Sequence, residues 1–305
     1  MNFLYCFDNN YNVQGAVSIY SLLNNLDEKI TIYIIHNNPK SFAKYKRKIS
    51  QHKNLNEINI YKFNEIGHNF PNLLDSHVTS ATYFRIFIQK YLPSDIDYLS
   101  YIDADVICME NPTGILLDIK QKMIKQKLPI AALTELTRNN AASFFENLGM
   151  KNDKYFNAGV LVIDYQQWID TETIKTMLEI MKKNYKKIIF WDQDVMNLYF
   201  DSNYLEIPSS MNYTSPDGIT ITEEKIYFHH YAGSKKPWYF ENIYSELSSN
   251  YQNAYKNFFK NSYHVDIKFK RHEISSLLNI FKSSSIPLNQ KLKFLYGAFK
   301  TLIIL

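Results

Sequence analysis

DYLSYIDADVI, residues 97–107, sets an apolar run ending at Ile102 against two carboxylates, Asp103 and Asp105, on either side of one alanine. A short run of this composition reads as a buried strand, and the acidic pair as the point where the strand leaves the core. Similar runs recur outward in both directions. FLYCF (3–7) precedes a segment of helical period carrying Val17, Ile19, Tyr20, Leu22 and Leu23. ITIYIIH (30–36) precedes a lysine-rich helix over 40–52, and INIYKF (58–63) a helix around TYFRIFIQKYL (82–92). PIAAL (129–133), GVLVIDY (159–165) and a helix through 171–184 follow. Strands separated by helices of this length predict an α/β domain with a mainly parallel central sheet covered by helices. Ligands of such sheets collect beyond the C-terminal strand ends, which makes Asp8, Asn9 and Asn10 candidates together with Asp103 and Asp105.

The 305 residues fit one large domain over 1–250 and a small helical tail over 251–305. Cys6 and Cys108 fall in predicted strands with no zinc or disulfide spacing, which implies a reducing compartment. MNFLYCFDNN lacks the basic and apolar regions of a signal peptide and reads as a first strand. No run of about 18 apolar residues suggests a spanning helix. The 24 Tyr and 20 Phe read as a background codon bias before they read as function. With eight Gly and neither GxxxxGK[ST] nor GxGxxG, the chain holds no nucleotide by a P-loop or by the dinucleotide fingerprint.

Charge is uneven. Residues 251–305 carry nine Lys and Arg against two acids, a net of +7, which leaves −3 for residues 1–250. Ile274, Leu277, Leu278 and Phe281 form one apolar stripe of helical spacing. Leu288, Leu292, Leu295, Phe299 and Ile303 form another, beside Lys291, Lys293 and Lys300. Two readings stand: helices packed on the domain, or a basic amphipathic segment on an anionic membrane surface. No nucleic-acid motif accompanies the charge, so nucleic acid is not expected as a partner. No feature selects an oligomeric state.

If extended, Asp103 and Asp105 project to one side of the strand end, and two hard oxygen ligands there suit Mg²⁺ or Mn²⁺. Taken alone, the pair reads first as a solvated Asp-x-Asp turn. A phosphatase of the haloacid dehalogenase type begins with a similar strand and Asp pair, but it carries Thr or Val where this chain has Ile107, and its pair lies at the first strand. HYAGSKKPW (230–238) adds a possible imidazole ligand in His230, a glycine that admits close backbone approach in Gly233, and a phosphate-binding charge in Lys236. Taken alone it also reads as a basic surface loop, with His229 competing for the role of His230.

DNNY (8–11), YFRIFI with Arg85, YIDADV, YFNAGVLVIDYQQW (155–168), WDQDVMN (191–197) and HYAGSKKPW occur in the order and spacing of glycosyltransferase family eight. Over about residues 1–240 the chain resembles bacterial lipooligosaccharide galactosyltransferases and lipopolysaccharide core glucosyl- and galactosyltransferases. The resemblance implies a glycosyltransferase-A-like nucleotide-binding domain and retaining transfer of a hexose, galactose ahead of glucose, from a UDP-sugar to a glycan or glycolipid acceptor. It implies that Asp103, Asp105 and His230 bind Mn²⁺ or Mg²⁺, that Asp8, Asn10 and Tyr11 surround uracil and ribose with backbone contact at Cys6 and Ala104, and that Gly233 and Lys236 hold the diphosphate. Arg85, Asn157, Ala158, Asp192 and Gln193 would line the donor sugar, with Asp192 and Gln193 nearest the chemistry. Within 134–148, expected as an acceptor loop, Glu135 is a candidate contact. The implied location is cytoplasmic, peripheral on the inner face of a bacterial inner membrane. A self-glucosylating glycogenin-like protein and a non-catalytic UDP-sugar-binding module are the other readings.

Overall fold

A computed structural model describes residues 1–64, 67, 69–71, 79–170, 172–214, 225–243, 245, 248–260, 263–266, 282 and 286–304. Its strands are β1 (Asn2–Phe7), β2 (Ile30–His36), β3 (Leu55–Lys62), β4 (Tyr98–Ile102), β5 (Val106–Cys108), β6 (Ile130–Thr137), β7 (Lys154–Asp164), β8 (Leu205–Glu206), β9 (Tyr213–Thr214) and β10 (Phe228–His230). The α-helices are α1 (Asn12–Asn25), α2 (Ala43–Ile49), α3 (Thr113–Gln126), α4 (Arg138–Leu148), α5 (Tyr165–Asp170), α6 (Thr173–Lys183), α7 (Trp191–Phe200), α8 (Ser249–Phe259) and α9 (Leu288–Ile304).

Seven strands form the main sheet in the order β3-β2-β1-β4-β7-β6-β8. β1 runs parallel to β2 and β4, β2 to β3, and β6 to β8; β7 alone is antiparallel to its neighbours. The expected mainly parallel sheet is therefore present. β1 and β2 are buried along almost their whole length, as a sheet covered on both faces requires, and their sequences are continuous apolar runs for that reason. β5, β10 and β9 form a second, three-stranded sheet.

Three segments differ from the sequence reading. The helix expected over 82–92 is a 3₁₀ helix, Ser80–Lys90, opened by Thr79, whose hydroxyl accepts the Ala81 N–H. Residues 134–148 are not a loop: β6 runs to Thr137, and α4 begins there in a reciprocal cap between Thr137 and Asn140. α4 ends at Gly149, whose φ of 86° suits the left-handed cap. β7 starts five residues before GVLVIDY, which places Asn157 and Ala158 within the sheet.

By contacts the chain divides into two units, Met1–Tyr213 with Ile221–His229, and Thr214–Thr220 with His230–Leu305. The core of the first joins Leu4, Ile35, Phe84, Phe87, Leu99 and Phe156. In the second, Phe240, Ile243, Val265 and Phe294 pack together. The first tail stripe, Ile274 to Phe281, lies outside the described residues. Among the described residues no helix is long and apolar enough to cross a membrane.

Candidate active site

The chain leaves β1 at Asp8, which caps a 3₁₀ turn, Asn9–Tyr11. Its carboxylate accepts the Asn10 N–H at 2.9 Å, and the Tyr11 N–H reaches the Asp8 carbonyl at 3.0 Å. Asp8, Asn10 and Tyr11 are thus gathered at the C-terminal end of the central strand. Asn37, just past β2, is joined to Asn9 by reciprocal bonds. Beside them His36 is fully buried and bonded to Asn12 at 2.9 Å; burial lowers its pKa to about 4 against the opposing pull of Asp8, so its ring is neutral. Cys6 is buried and burial pushes its thiol far up, leaving the side chain inert.

Asp103 and Asp105 do not continue the strand. The chain turns at Asp103, Ala104 and Asp105, closed by the Val106 N–H on the Asp103 carbonyl at 3.2 Å, while the Asp103 N–H holds the Gly159 carbonyl at 2.8 Å. The turn brings the carboxylates together where an extended backbone was expected to do so. Asp103, Asp105 and His230 each offer a ligand atom, and these lie within 4.8 Å of one another. Two carboxylates and an imidazole suit Mn²⁺ or Mg²⁺. The spacing fits one ion, because opposite ligands with bonds of about 2.1 Å stand about 4.2 Å apart.

Arg85 is the hub of the first unit's polar cluster. It is buried, with Nε 2.7 Å from Asp192, Nη2 3.1 Å from Asp103, and Nη1 donating to the Ala158 carbonyl at 2.5 Å. Its guanidinium lies 4.1 Å from the centre of the Tyr101 ring, and the Tyr101 hydroxyl donates to Asp103. Thr82 donates to the other Asp192 oxygen. In a 3₁₀ helix residues i and i+3 eclipse, so Thr82 and Arg85 stand over one another and hold Asp192 between them. Burial works against the Arg85 charge, but Asp103 and Asp192 outweigh it and raise its pKa. Burial raises Asp192 to about 6, opposed by Arg85 and Thr82.

Asp192 and Gln193 follow Trp191, whose φ of 50° is left-handed and uncommon for a large residue. Asp194 holds this corner. One oxygen accepts the Ile189 and Phe190 N–H groups at 2.7 and 2.9 Å, the other the Tyr155 hydroxyl at 2.6 Å. Gln193 accepts the Ala158 N–H at 2.9 Å and donates to Glu135 at 3.0 Å and Tyr155 at 3.1 Å. Asn157 donates to Glu135 at 3.3 Å and accepts from Gly159 and Asn212, each at 2.9 Å. Arg85, Asp103, Ala158, Asp192, Gln193, Asn157 and Glu135 therefore form one bonded cluster. Ala104 is buried in the turn.

In the second unit Gly233 has a φ of 75°, and Lys236, nearly buried, donates to the Tyr231 carbonyl at 2.6 Å. Tyr101, Thr82, Tyr155 and Asn197 were not singled out from the sequence. Tyr101 had a signal, because it shares a strand face with Asp103 by the two-residue period. Asn197 had one too, four residues from Gln193 on one helix face. It accepts the Phe156 N–H at 2.8 Å and donates to the Phe156 carbonyl at 2.9 Å, stapling α7 to β7.

The chain is 30% identical over 264 residues to a lipopolysaccharide 1,2-glucosyltransferase of Escherichia coli K12, covering 81% of this chain and 75% of that protein. It is 28% identical over 171 residues to a lipopolysaccharide 1,3-galactosyltransferase of Salmonella typhimurium, covering 53% of this chain and 50% of that protein. Its fold is shared with the galactosyltransferase LgtC, solved in complex with donor and acceptor sugar analogs, at a TM-score of 0.73 and 19% identity over 90% of this chain and 100% of that one. The family model described as Glycosyl transferase family 8 matches residues 2–242. The chain belongs to that family and is a glycosyltransferase.

Proposed function

We propose that the chain transfers a hexose from a UDP-sugar, with retention at the anomeric carbon and dependence on a divalent ion, to a lipooligosaccharide or lipopolysaccharide acceptor. The observation that carries this reading is the convergence of Asp103, Asp105 and His230, with Asp103 held by Arg85 and Tyr101. Asp103, Asp105 and His230 would hold Mn²⁺ or Mg²⁺, which when bound supplies positive charge against the developing charge of the leaving diphosphate. Lys236 and the Gly233 backbone bind the diphosphate. Asp8, Asn10 and Tyr11, with the backbone at Cys6 and Ala104, bind the nucleoside. Arg85, Asn157, Ala158, Asp192 and Gln193 orient the sugar, and Glu135 stands at the acceptor side. Similarity to a lipopolysaccharide glucosyltransferase and a lipopolysaccharide galactosyltransferase supports a hexose and a lipopolysaccharide acceptor; galactose is the donor favoured from the sequence, and the E. coli relative supports glucose.

Retention by double displacement needs a nucleophile under the anomeric carbon. The carboxylates of Asp192 and Asp194 are committed to Arg85, Thr82, Tyr155 and two backbone N–H groups, and the Gln193 carbonyl to the Ala158 N–H. These commitments support a front-face substitution in which the leaving phosphate takes the proton of the incoming hydroxyl. A glycosyl adduct on Asp192 or Asp194, detected by mass spectrometry, would overturn that step.

Peripheral membrane binding is part of the proposal. The tail's net charge of +7 supports it, as do Leu288, Leu292 and Tyr296, each more than half exposed at four-residue spacing on α9. A panel of UDP-sugars with Mn²⁺, read as UDP release with and without acceptor, tests the activity. The reading fails if no UDP-sugar is turned over and Asp103→Ala leaves UDP binding unchanged. Label entering the protein's own tyrosines without acceptor would favour the glycogenin-like reading. Partitioning to anionic vesicles that is indifferent to salt and to loss of the tail's lysines would sink the membrane claim.

A further inference from the structure

The family match ends at residue 242, yet residues after it grip the loop that carries Lys236. α8 buries Tyr251, Gln252, Tyr255 and Phe258 on one side. Lys260, at φ 58°, ends the helix in a left-handed cap. Residues 263–266 then run beside 237–239: the Asp266 N–H reaches the Trp238 carbonyl at 2.8 Å, and Tyr239 pairs with Asp266 in a parallel bridge.

Gln252 joins these two stretches. Its Nε2 donates to the carbonyls of Pro237 and His264, each at 2.9 Å, and its Oε1 accepts the His264 N–H at 2.8 Å. One buried amide thereby fixes the backbone immediately after Lys236 to the returning chain. The other end of the loop is held as well, because the Tyr231 hydroxyl accepts the Tyr251 N–H at 3.1 Å and the Tyr231 carbonyl receives the Lys236 ammonium. Between the two anchors Trp238 packs on Tyr251, ring centres 4.8 Å apart, and His264 stacks on Tyr255 at 5.1 Å. Burial keeps the His264 ring neutral, its pKa lowered to about 3, and its Nδ1 bonds the Tyr251 hydroxyl at 2.6 Å.

A lysine ammonium rides on a flexible four-carbon stem, so its position follows the backbone that carries it. We infer that Gln252 is a positioning residue for the donor diphosphate: it sets the Tyr231–Trp238 loop so that Lys236 meets the phosphate charge. The inference rests on the assignment of Lys236 to the diphosphate.

The test is a double-mutant cycle on the full chain, with UDP affinity measured by calorimetry in the presence of Mn²⁺. Lys236→Ala and Gln252→Met should each weaken UDP binding about tenfold, and the double variant should be no weaker than Lys236→Ala alone, because Gln252 acts through Lys236. If Lys236→Ala binds UDP as the parent does, the diphosphate assignment fails and the inference falls with it. If Lys236→Ala is weakened and Gln252→Met is not, or if the two losses add in full, the positioning role is refuted while the assignment stands. Should Gln252→Met not fold, Tyr231→Phe, which removes only the hydroxyl bonded to α8, takes its place in the cycle with the same criteria.

Discussion

Replacing Arg85 by lysine keeps the buried positive charge and removes only the fork. In the parent, the guanidinium is ion-paired with Asp192, hydrogen-bonded to the Asp103 carboxylate, and donates to the Ala158 carbonyl at once. An ammonium on a shorter stem can keep one carboxylate. The change forfeits one charge-assisted hydrogen bond, worth about 1.5–3 kcal/mol, and one neutral bond worth about 0.5–1.5 kcal/mol, with partial recovery through relaxation. A net loss of about 2–3 kcal/mol in the transition state corresponds to about 30- to 150-fold in kcat/KM. Arg85→Met is the poorer probe, because leaving two buried carboxylates unpaired costs about 3–5 kcal/mol and threatens folding. The assay is UDP release under saturating Mn²⁺, with thermal unfolding of the same samples as the control. A lysine variant within twofold of the parent in kcat/KM would refute the claim that the fork orients Asp103 and Asp192.

Three further outcomes are expected. Asp192 sits at about 6 in the folded chain, above its ordinary 3.8, so the folded state binds more protons than the unfolded one between these values; the stability it contributes falls as pH rises through that window. Its ionised form holds Arg85, so kcat/KM should drop below about pH 6, and the pH profile of Asp192→Asn should lack that limb. Asn197→Leu strands the Phe156 N–H and carbonyl in the core and should cost about 2–5 kcal/mol in urea unfolding, an effect absent if the staple is dispensable. Gly15→Ala places a Cβ 2.8 Å from the Phe7 ring, itself packed on His36 and Phe42; overpacking of about 1–3 kcal/mol outweighs the helix preference for alanine, and an unchanged melting temperature would contradict it.

The strands were legible because a parallel sheet covered on both faces writes itself as uninterrupted runs of Ile, Tyr and Phe, and β1, β2 and β4 lie within a residue of where those runs predict them. What the runs could not report is conformation at their ends. The Asp103–Asp105 turn depends on the Asp103 N–H finding the Gly159 carbonyl, a partner 56 positions away. The pairing of Arg85 with Asp192 likewise joins distant segments, and only the resemblance placed both at one site. Asn197 and Tyr155 escaped notice for a related reason. Their work is done on backbone groups and on one buried carboxylate; helical spacing puts Asn197 on the face of Gln193, but nothing local shows what either side chain is aimed at. Residues 134–148 read as a loop from sequence because the cap between Thr137 and Asn140 is made by their side chains, and Glu135 beside them is a candidate there only through the resemblance.

The 3₁₀ winding of Ser80–Lys90 has a consequence for reach. At about 2.0 Å per residue its eleven residues span about 22 Å, where an α-helix of the same length spans about 16.5 Å. The segment is a strut lengthened by about one helical turn. Relaxation to α-helical winding would shorten it and swing Thr82 and Arg85 out of alignment, loosening the grip on Asp192 at both oxygens together. Substitutions that raise helix propensity along this strut would therefore act on the Asp192 carboxylate without touching it, through the pitch of the backbone alone.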